Sequence, residues 1–414
     1  MKKFRLGDLL TVKHGWAFKG EFFAESGQMS ILTPGNFFDK GGFKRNDERE
    51  RYYTGEFPSE YLSHKSDLIV AMTEQATGLL GSTAIVPEDD RYLHNQRIGL
   101  ITCNENIDKM FAYYLFMTRS VREQISRTSS GTKVKHTSPE KIYDVEVIIP
   151  DISMQKKIAH ILWSIDMKIE CNTHINDNLQ QMAKDIYNYW FTQFDFPDEN
   201  GNPYRSSGGK MVWNDKLKIE IPCGWEYNQL KSVCNLYLGG TPDTTNQSYW
   251  NGSINWLNSG EISQFPVVSS ELRITEEGLH NSSTKLMKKG TSVVSITGNI
   301  RASILAIDTC ANQSVVGIEE TSQIKHPYLY PYLCNQLDYY TAMSTGNCQK
   351  HINKGMLEET LLLIPPKAIL DRFYEISLPI YEKITENALE STKLSDLRDW
   401  LLPMLMNGQV TIAD

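Results

Sequence analysis

The stretch Ile165-Asp166-Met167-Lys168-Ile169-Glu170-Cys171-Asn172 returns further along the chain as Ile380-Tyr381-Glu382-Lys383-Ile384-Thr385-Glu386-Asn387. The shared Ile, Lys, Ile and Asn keep one offset (380 − 165 = 215), and Leu179 meets Leu394 at the same separation. Around the first stretch, from about Ser153 to Phe191, apolar residues recur at Ile158, Ile161, Leu162, Ile165, Ile169, Leu179, Met182 and Ile186. Around the second, from about Ala368 to Leu405, they fall at Phe373, Ile376, Ile380, Ile384, Leu394, Leu397 and Leu401. Steps of three and four sustained this long predict an amphipathic helix or coiled-coil strand in each place. Each would be about 55–60 Å long at 1.5 Å per residue. Pro150 and Pro365-Pro366 stand at the two starts, where proline is tolerated. Alone, such a helix exposes an apolar stripe, so the simplest arrangement packs the two on each other, antiparallel. Ile158, Ile165, Ile169, Leu179, Phe373, Ile380, Ile384 and Leu394 are the expected contact residues of the pair.

The same offset runs backwards from the helices. Gly131, Lys135, His136, Ile149 and Pro150 map onto Gly346, Lys350, His351, Ile364 and Pro365. Earlier landmarks keep their order: Leu6 to Gly15 answers Leu230 to Gly239, Asp67 to Thr73 answers Thr291 to Thr297, and Asn95-Gln96 answers Asn312-Gln313. A collinear series of this kind is an internal duplication. Before its helix, each copy shows short β-branched and aromatic runs broken by Gly, Pro, Asn and Asp, which indicates a mainly β domain with some helices. One helix is expected over Met110 to Arg127, where Phe111, Tyr114, Leu115 and Val121 recur at helical spacing. The expected division is a domain over 1–150, a helix over 151–195, a linker over 196–224, a second domain over 225–365, a second helix over 366–408 and a tail over 409–414. The polar, glycine-rich Asp198 to Lys210 supplies the linker. The fold class is α+β: two pseudo-repeated, mainly β domains separated by a pair of long, antiparallel coiled-coil helices.

Composition narrows the function. A chain of 414 residues, 40% hydrophobic and 22% charged, is a globular protein of at least two cores. It has no apolar run of about 18 residues, and its N-terminus lacks the apolar core of a signal peptide, so a cytoplasmic protein without a membrane partner is expected. Cys103, Cys171, Cys223, Cys234, Cys310, Cys334 and Cys348 are scattered and include no C-x-x-C pair, so free thiols are favoured over zinc or disulfides. A net charge of −8 excludes a protein basic all over, so any affinity for phosphate must reside in local clusters.

Enzymatic signals fail on inspection. Gly201-Asn202-Pro203-Tyr204 lacks the second proline of an amino-methyltransferase site and lies in the linker. Pro150-Asp151 with Asp166-x-Lys168 hints at a metal-dependent nuclease, but these residues fall on the helical repeat and Tyr381 replaces Asp166 in the second copy. No Walker-type loop, H-E-x-x-H, G-x-S-x-G or histidine ligand cluster is present. No catalytic residue, metal ligand or bound cofactor is expected.

Two variable β-rich domains, each followed by a long helix shared between copies, resemble the specificity subunits of type I restriction–modification systems. The resemblance covers nearly the whole chain. It rests on the openings at Leu6 and Leu230, on the blocks from Gly131 to Pro150 and from Gly346 to Pro365, on Asn202 to Gly209, and on the closing Leu397-x-x-Trp400-Leu401-Leu402-Pro403-x-x-Met406-x-Gly408. A Glu-Gln pair that commonly opens the helix in that family is reduced to Met154-Gln155 here and is absent at Leu370-Asp371. The resemblance implies that each β-rich domain is a target-recognition domain for half of a bipartite site in double-stranded DNA. It also implies that the helices space the domains and dock two methyltransferase subunits. A restriction and translocase subunit completes the full complex, a phage-defence system, and S-adenosylmethionine, ATP and magnesium belong to the partners. The alternatives are a recognition subunit of another defence system and a stand-alone DNA-binding regulator.

Within that frame the DNA-facing candidates are local. Arg119, Arg122 and Arg127 lead into Thr128 to Ser138, with Gly131, Lys133, Lys135 and His136; the counterpart holds Gly346, Gln349, Lys350 and His351. Glycine permits close backbone approach to phosphate, lysines bind phosphate oxygens, and Gln or Lys reaches base edges. The alternative is a solvated basic loop. Asn95, Gln96, Arg97, Asn312 and Gln313 either read base edges or satisfy nearby backbone. Gln75, Thr77, Asn299 and Arg301 lie just past matched strands, where the copies differ in length and different sequence preferences would sit.

Overall fold

The computed structural model describes residues 1–45, 50–74, 76, 78–131, 134–346, 350–410 and 412. It divides into two compact units, Met1–Lys168 with Leu394–Asp414, and Ile169–Lys393.

In the first unit, strands β1 (Lys2–Arg5), β2 (Leu10–His14), β3 (Leu68–Ala71), β4 (Thr83–Ile85), β5 (Ile98–Cys103) and β6 (Glu146–Ile149) carry the frame. Four of them form an antiparallel sheet in the order β2-β5-β3-β4, and β1 pairs with β6, Lys2 opposite Ile149. Both faces of β3 are covered, which is why Leu-Ile-Val-Ala reads as a continuous apolar run without alternation. A smaller sheet includes Ser30–Ile31 running parallel to Tyr92–Leu93.

The second unit repeats this plan with β7 (Glu226–Gln229), β8 (Leu236–Leu238), β9 (Ser292–Ser295), β10 (Ala302–Ile304), β11 (Val315–Ile318) and β12 (Leu361–Ile364). The sheet order is β8-β11-β9-β10, and β7 pairs with β12, Glu226 opposite Ile364. Here too a parallel pair lies in a smaller sheet, Trp250–Leu257 beside Thr309–Ala311. The duplication seen in the residues is therefore a duplication of topology and register.

A central helix spans Ile152–Tyr187 and a C-terminal helix spans Lys367–Met406. Asp151 opens the central helix, its carboxylate accepting from the Met154 N–H at 3.0 Å. Within the first unit the helices run antiparallel: Ile158, Ala159 and Leu162 share a core with Leu401, Leu402, Leu405 and Met406, while Asp166 meets Arg398. Within the second unit they are again antiparallel, with Tyr187 and Phe191 against Phe373 and Asn172 against Glu390 and Ser391. Of the expected contact residues, Ile158, Phe373 and Ile384 are buried, whereas Ile165, Ile169, Leu179, Ile380 and Leu394 are half-buried.

A layer of buried amides interrupts the apolar stripe in the second unit. Asn387 donates to Asn176 Oδ1 at 3.0 Å, Asn176 donates to the Ile384 carbonyl at 3.0 Å, and Asn172 donates to Glu390 at 2.8 Å. A buried polar group left without its partner costs about 1–3 kcal/mol, so a slipped register that separates these amides is disfavoured.

Two local expectations need correction. The single helix expected over Met110 to Arg127 is two, Lys109–Met117 and Arg119–Thr128. Thr118 between them is extended, and its hydroxyl donates to the Leu115 carbonyl at 2.7 Å, taking the place of a further helical turn. The segment 196–224 is not a plain flexible connection. It carries a hairpin of Met211–Asn214 and Ile219–Pro222, Asp195 accepts from the Ser206 backbone and hydroxyl at 2.7 Å each, and Phe196 stacks on Tyr204 and Trp225.

Candidate nucleic-acid interface

Three strand ends and one loop build an open cleft of about 540 Å³ in the first unit, lined by His14, Gly15, Met72, Thr73, Gln96, Arg97, His136 and Thr137. Gly15 is required where β2 leaves the sheet, because a Cβ there would fall 2.2 Å from the Asn95 carbonyl oxygen. Asn95 closes a turn by accepting the Arg97 N–H on its side-chain oxygen at 2.9 Å. The loop from Ser130 to His136 is pinned by reciprocal backbone bonds of 2.9 and 2.8 Å between those two residues. Gly131 adopts φ +103°, and a Cβ would meet the Val134 carbonyl at 2.1 Å. The loop is docked on β3 through Glu74 N–H to Lys135 O at 2.9 Å, Thr137 N–H to Met72 O at 3.0 Å, and a 3.1 Å bond between Thr73 Oγ1 and His136 Nδ1.

The second unit builds the same constellation. Gly239 stands where a Cβ would lie 2.1 Å from the Asn312 carbonyl, and Asn312 accepts the Ser314 N–H at 3.0 Å. Thr345 and His351 exchange backbone bonds of 2.9 Å each, and Gly346 again adopts φ +103°. Gly298 N–H reaches Lys350 O at 2.8 Å, Ile352 N–H reaches Ile296 O at 3.0 Å, and Thr297 Oγ1 lies 3.1 Å from His351 Nδ1. Both loops leave Lys135 and His136, or Lys350 and His351, exposed beside a strand end.

The sequence-derived candidates separate accordingly. Gln96, Arg97 and His136 come together in the first cleft. Asn95 and Asn312 use their side-chain oxygens on local backbone. Asn299 and Arg301 are exposed in the short connection after β9, where Ser295 Oγ holds the Asn299 carbonyl and the Arg301 N–H. Lys135 donates to Ser126 Oγ at 3.1 Å and lies 4.0 Å from Glu74, and Arg127 and Arg119 both flank Glu123, at 3.3 and 2.6 Å. Arg119 holds the Glu123 carboxyl below the usual range. Arg122 is structural: it donates to the Asp39 and Gly78 carbonyls, and burial lowers its guanidinium to about 10. Gln75, Thr77, Lys133 and Gln349 lie outside the described residues.

Two placements escaped the sequence reading. His94 is buried behind the first cleft with Nε2 on the Ile98 carbonyl at 2.9 Å, and burial pushes its imidazole down to about 4. His14 and Leu238 occupy equivalent strand ends, opposite Gly99 and Val316. Exposure at a strand end depends on register with a distant strand, which alternation along β2 does not reveal. Asp166, the residue that hinted at a nuclease, accepts from Tyr114 at 2.6 Å and from Arg398 at 2.7 Å, both contacts of packing. Among the described residues no group of three or more His, Cys, Asp or Glu could hold a metal ion, and no helix is long and apolar enough to cross a membrane.

Over residues 1–181 and 222–390 the chain matches the family described as the type I restriction modification DNA specificity domain. The chain belongs to that family. The two matched segments each contain one copy of the duplicated frame. This specificity-domain chain is 25% identical over 325 residues to the type I restriction enzyme MjaIX specificity subunit of Methanocaldococcus jannaschii, covering 77% of this chain and 73% of that one. With the HindI specificity subunit of Haemophilus influenzae it shares 23% identity, covering 78% and 82% respectively. Its fold is similar to the crystal structure of the type I restriction–modification S subunit from M. genitalium, with a TM-score of 0.60, 15% identity and coverage of 98% and 96%.

Proposed function

We propose that this chain is the DNA-specificity subunit of a type I restriction–modification complex, each cleft reading one half of a bipartite site. The observation that carries the reading is that one constellation, the Gly131–His136 loop docked at a strand end, is built twice with different side chains around it. Gln96, Arg97, His136 and their counterparts Gln313 and His351 face base edges, while Lys135, Lys350, Arg127 and Arg301 meet phosphates. Each well-read base pair contributes about 1–3 kcal/mol of discrimination, so one small reader is weakly selective and two add. The helix pair sets the spacing and docks two methyltransferase subunits, with half-sites about one helical turn, 34–36 Å, apart. A duplicated chain imitates a two-fold dimer while letting its halves diverge, so the site need not be a palindrome. Chemistry belongs to the partners: S-adenosylmethionine to the methyltransferase, ATP and magnesium to the restriction subunit, none to this chain.

Co-purification tests this. Expressed with its neighbouring methyltransferase, the chain is expected to form a stable complex and to direct methylation to a split motif in the host genome. Tight sequence-specific binding by the chain alone, without a methyltransferase, would instead identify a free-standing regulator.

A further inference from the structure

The two clefts share a frame and differ in the side chains mounted on it. His14, opposite Gly99, and Leu238, opposite Val316, are the same position in the two copies. His14 is exposed, with Nδ1 3.4 Å from the Gln96 carbonyl, whereas Leu238 is an exposed apolar side chain at 42%. A single exposed leucine is ordinary; one at the strand end equivalent to His14, which lines the first cleft, is informative. Arg97 is exposed, and its guanidinium has no hydrogen-bond or ion-pair partner among the described residues; Ser314 replaces it in the second copy. Gln313 accepts from Thr241 Oγ1 at 2.5 Å on Oε1, which leaves the Nε2 hydrogens as the donors for a ligand.

We propose that the first cleft selects a G·C pair, through Arg97 and His14, and that the second selects a thymine, through Leu238 and Gln313. The proposal rests on the reading that these clefts meet the major groove. Guanine alone presents two adjacent acceptors there, N7 and O6, which match the fork of Arg97. Among the described residues, the lining of the first cleft holds no carboxylate, the side chain that accepts from the amino group of cytosine. Thymine alone presents a methyl group beside an acceptor. Leu238 lies against that C5 methyl while Gln313 Nε2–H donates to O4.

Base analogues test the assignment on the unaltered protein. The complex of the full chain with its methyltransferase is titrated with duplexes carrying the methylated site, its half-sites assigned by exchanging residues 1–150. In one duplex 7-deazaguanine replaces guanine in the half-site of the first copy. In another, deoxyuridine replaces thymine in the half-site of the second. Each substitution is expected to weaken binding on the order of tenfold. Arg97→Ala should abolish the first sensitivity alone and Leu238→Ala the second alone. Indifference of the wild-type complex to either analogue, a half-site lacking the assigned base, or sensitivities that cross between variants overturns the assignment. Absence of any split-site recognition defeats the underlying reading as well, whereas split-site recognition with indifferent analogues defeats the base assignment alone.

Discussion

Gln155 and Tyr374 stand a helical turn apart in the duplicated numbering, yet they serve the same two backbone groups. Gln155 Oε1 accepts the Asp108 N–H at 2.9 Å and its Nε2 donates to the Asn106 and Pro150 carbonyls. In the other unit the Tyr374 hydroxyl accepts the Lys325 N–H at 2.9 Å and donates to the Gln323 carbonyl at 2.9 Å. Loss of the glutamine at Leu370 is visible in the residues, but its replacement is not, because the tyrosine reaches the loop only once the helix has docked. Gln155→Leu is expected to destabilise the first unit by about 3 kcal/mol and Tyr374→Phe the second by about 2 kcal/mol, since each orphans buried backbone groups. Denaturant midpoints check this, and unshifted midpoints would refute the equivalence. His94 adds a pH dependence. Its folded value, about 4, lies below the ordinary 6.5, so below pH 6.5 the unfolded chain takes up a proton that the fold refuses. Stability contributed by neutral His94 is complete above pH 6.5 and falls by roughly 3 kcal/mol as pH drops towards 4. Unfolding free energies measured across that window should fall less steeply for His94→Gln.

At the scale of elements, the long helices were legible from period and repeat, and their starts from proline. Their contacts were not. Asp166 and Arg398 form a partly buried pair in the first unit, joined by Tyr114; burial opposes the charge on Arg398, but pairing with Asp166 and Asp399 outweighs it and holds the guanidinium above its usual value. The same two positions in the second unit hold Tyr381 and Ala183, packed with Ile304. One contact site of the duplicated pair is thus ionic in one copy and apolar in the other, a divergence that helical period cannot report. Asp166→Ala is expected to cost about 2 kcal/mol, because the Tyr114 hydroxyl loses its acceptor and Arg398 keeps only Asp399 in a half-buried place. Adding Arg398→Met should recover part of that loss in thermal unfolding. If the double substitution were the less stable of the two, the ionic account of this contact would be wrong. The segment after the central helix misled for a related reason: its glycines and polar residues read as a connection, while Phe194, Phe196, Tyr204 and Trp225 bring it into a core.

For the whole molecule, duplication was the most readable feature, because a constant offset survives where single motifs are weak. It also led to the Gly131–His136 and Gly346–His351 loops, whereas His14 and Leu238 needed the strand register. If the helix pair sets the spacing, one heptad inserted in both helices, after Lys168 and after Lys393, adds about 10 Å at 1.5 Å per residue. Host methylomes should then show both half-sites intact and the gap widened by about three base pairs at 3.4 Å each; an unchanged gap counts against a spacer of fixed length. The proposed function requires that two independent readers share one chain. Its most direct test is the methylome of a host in which residues 1–150 are exchanged for those of another specificity subunit. One half of the methylated motif should change while the other half and the spacing persist. A change in both halves, or in neither, contradicts the claim.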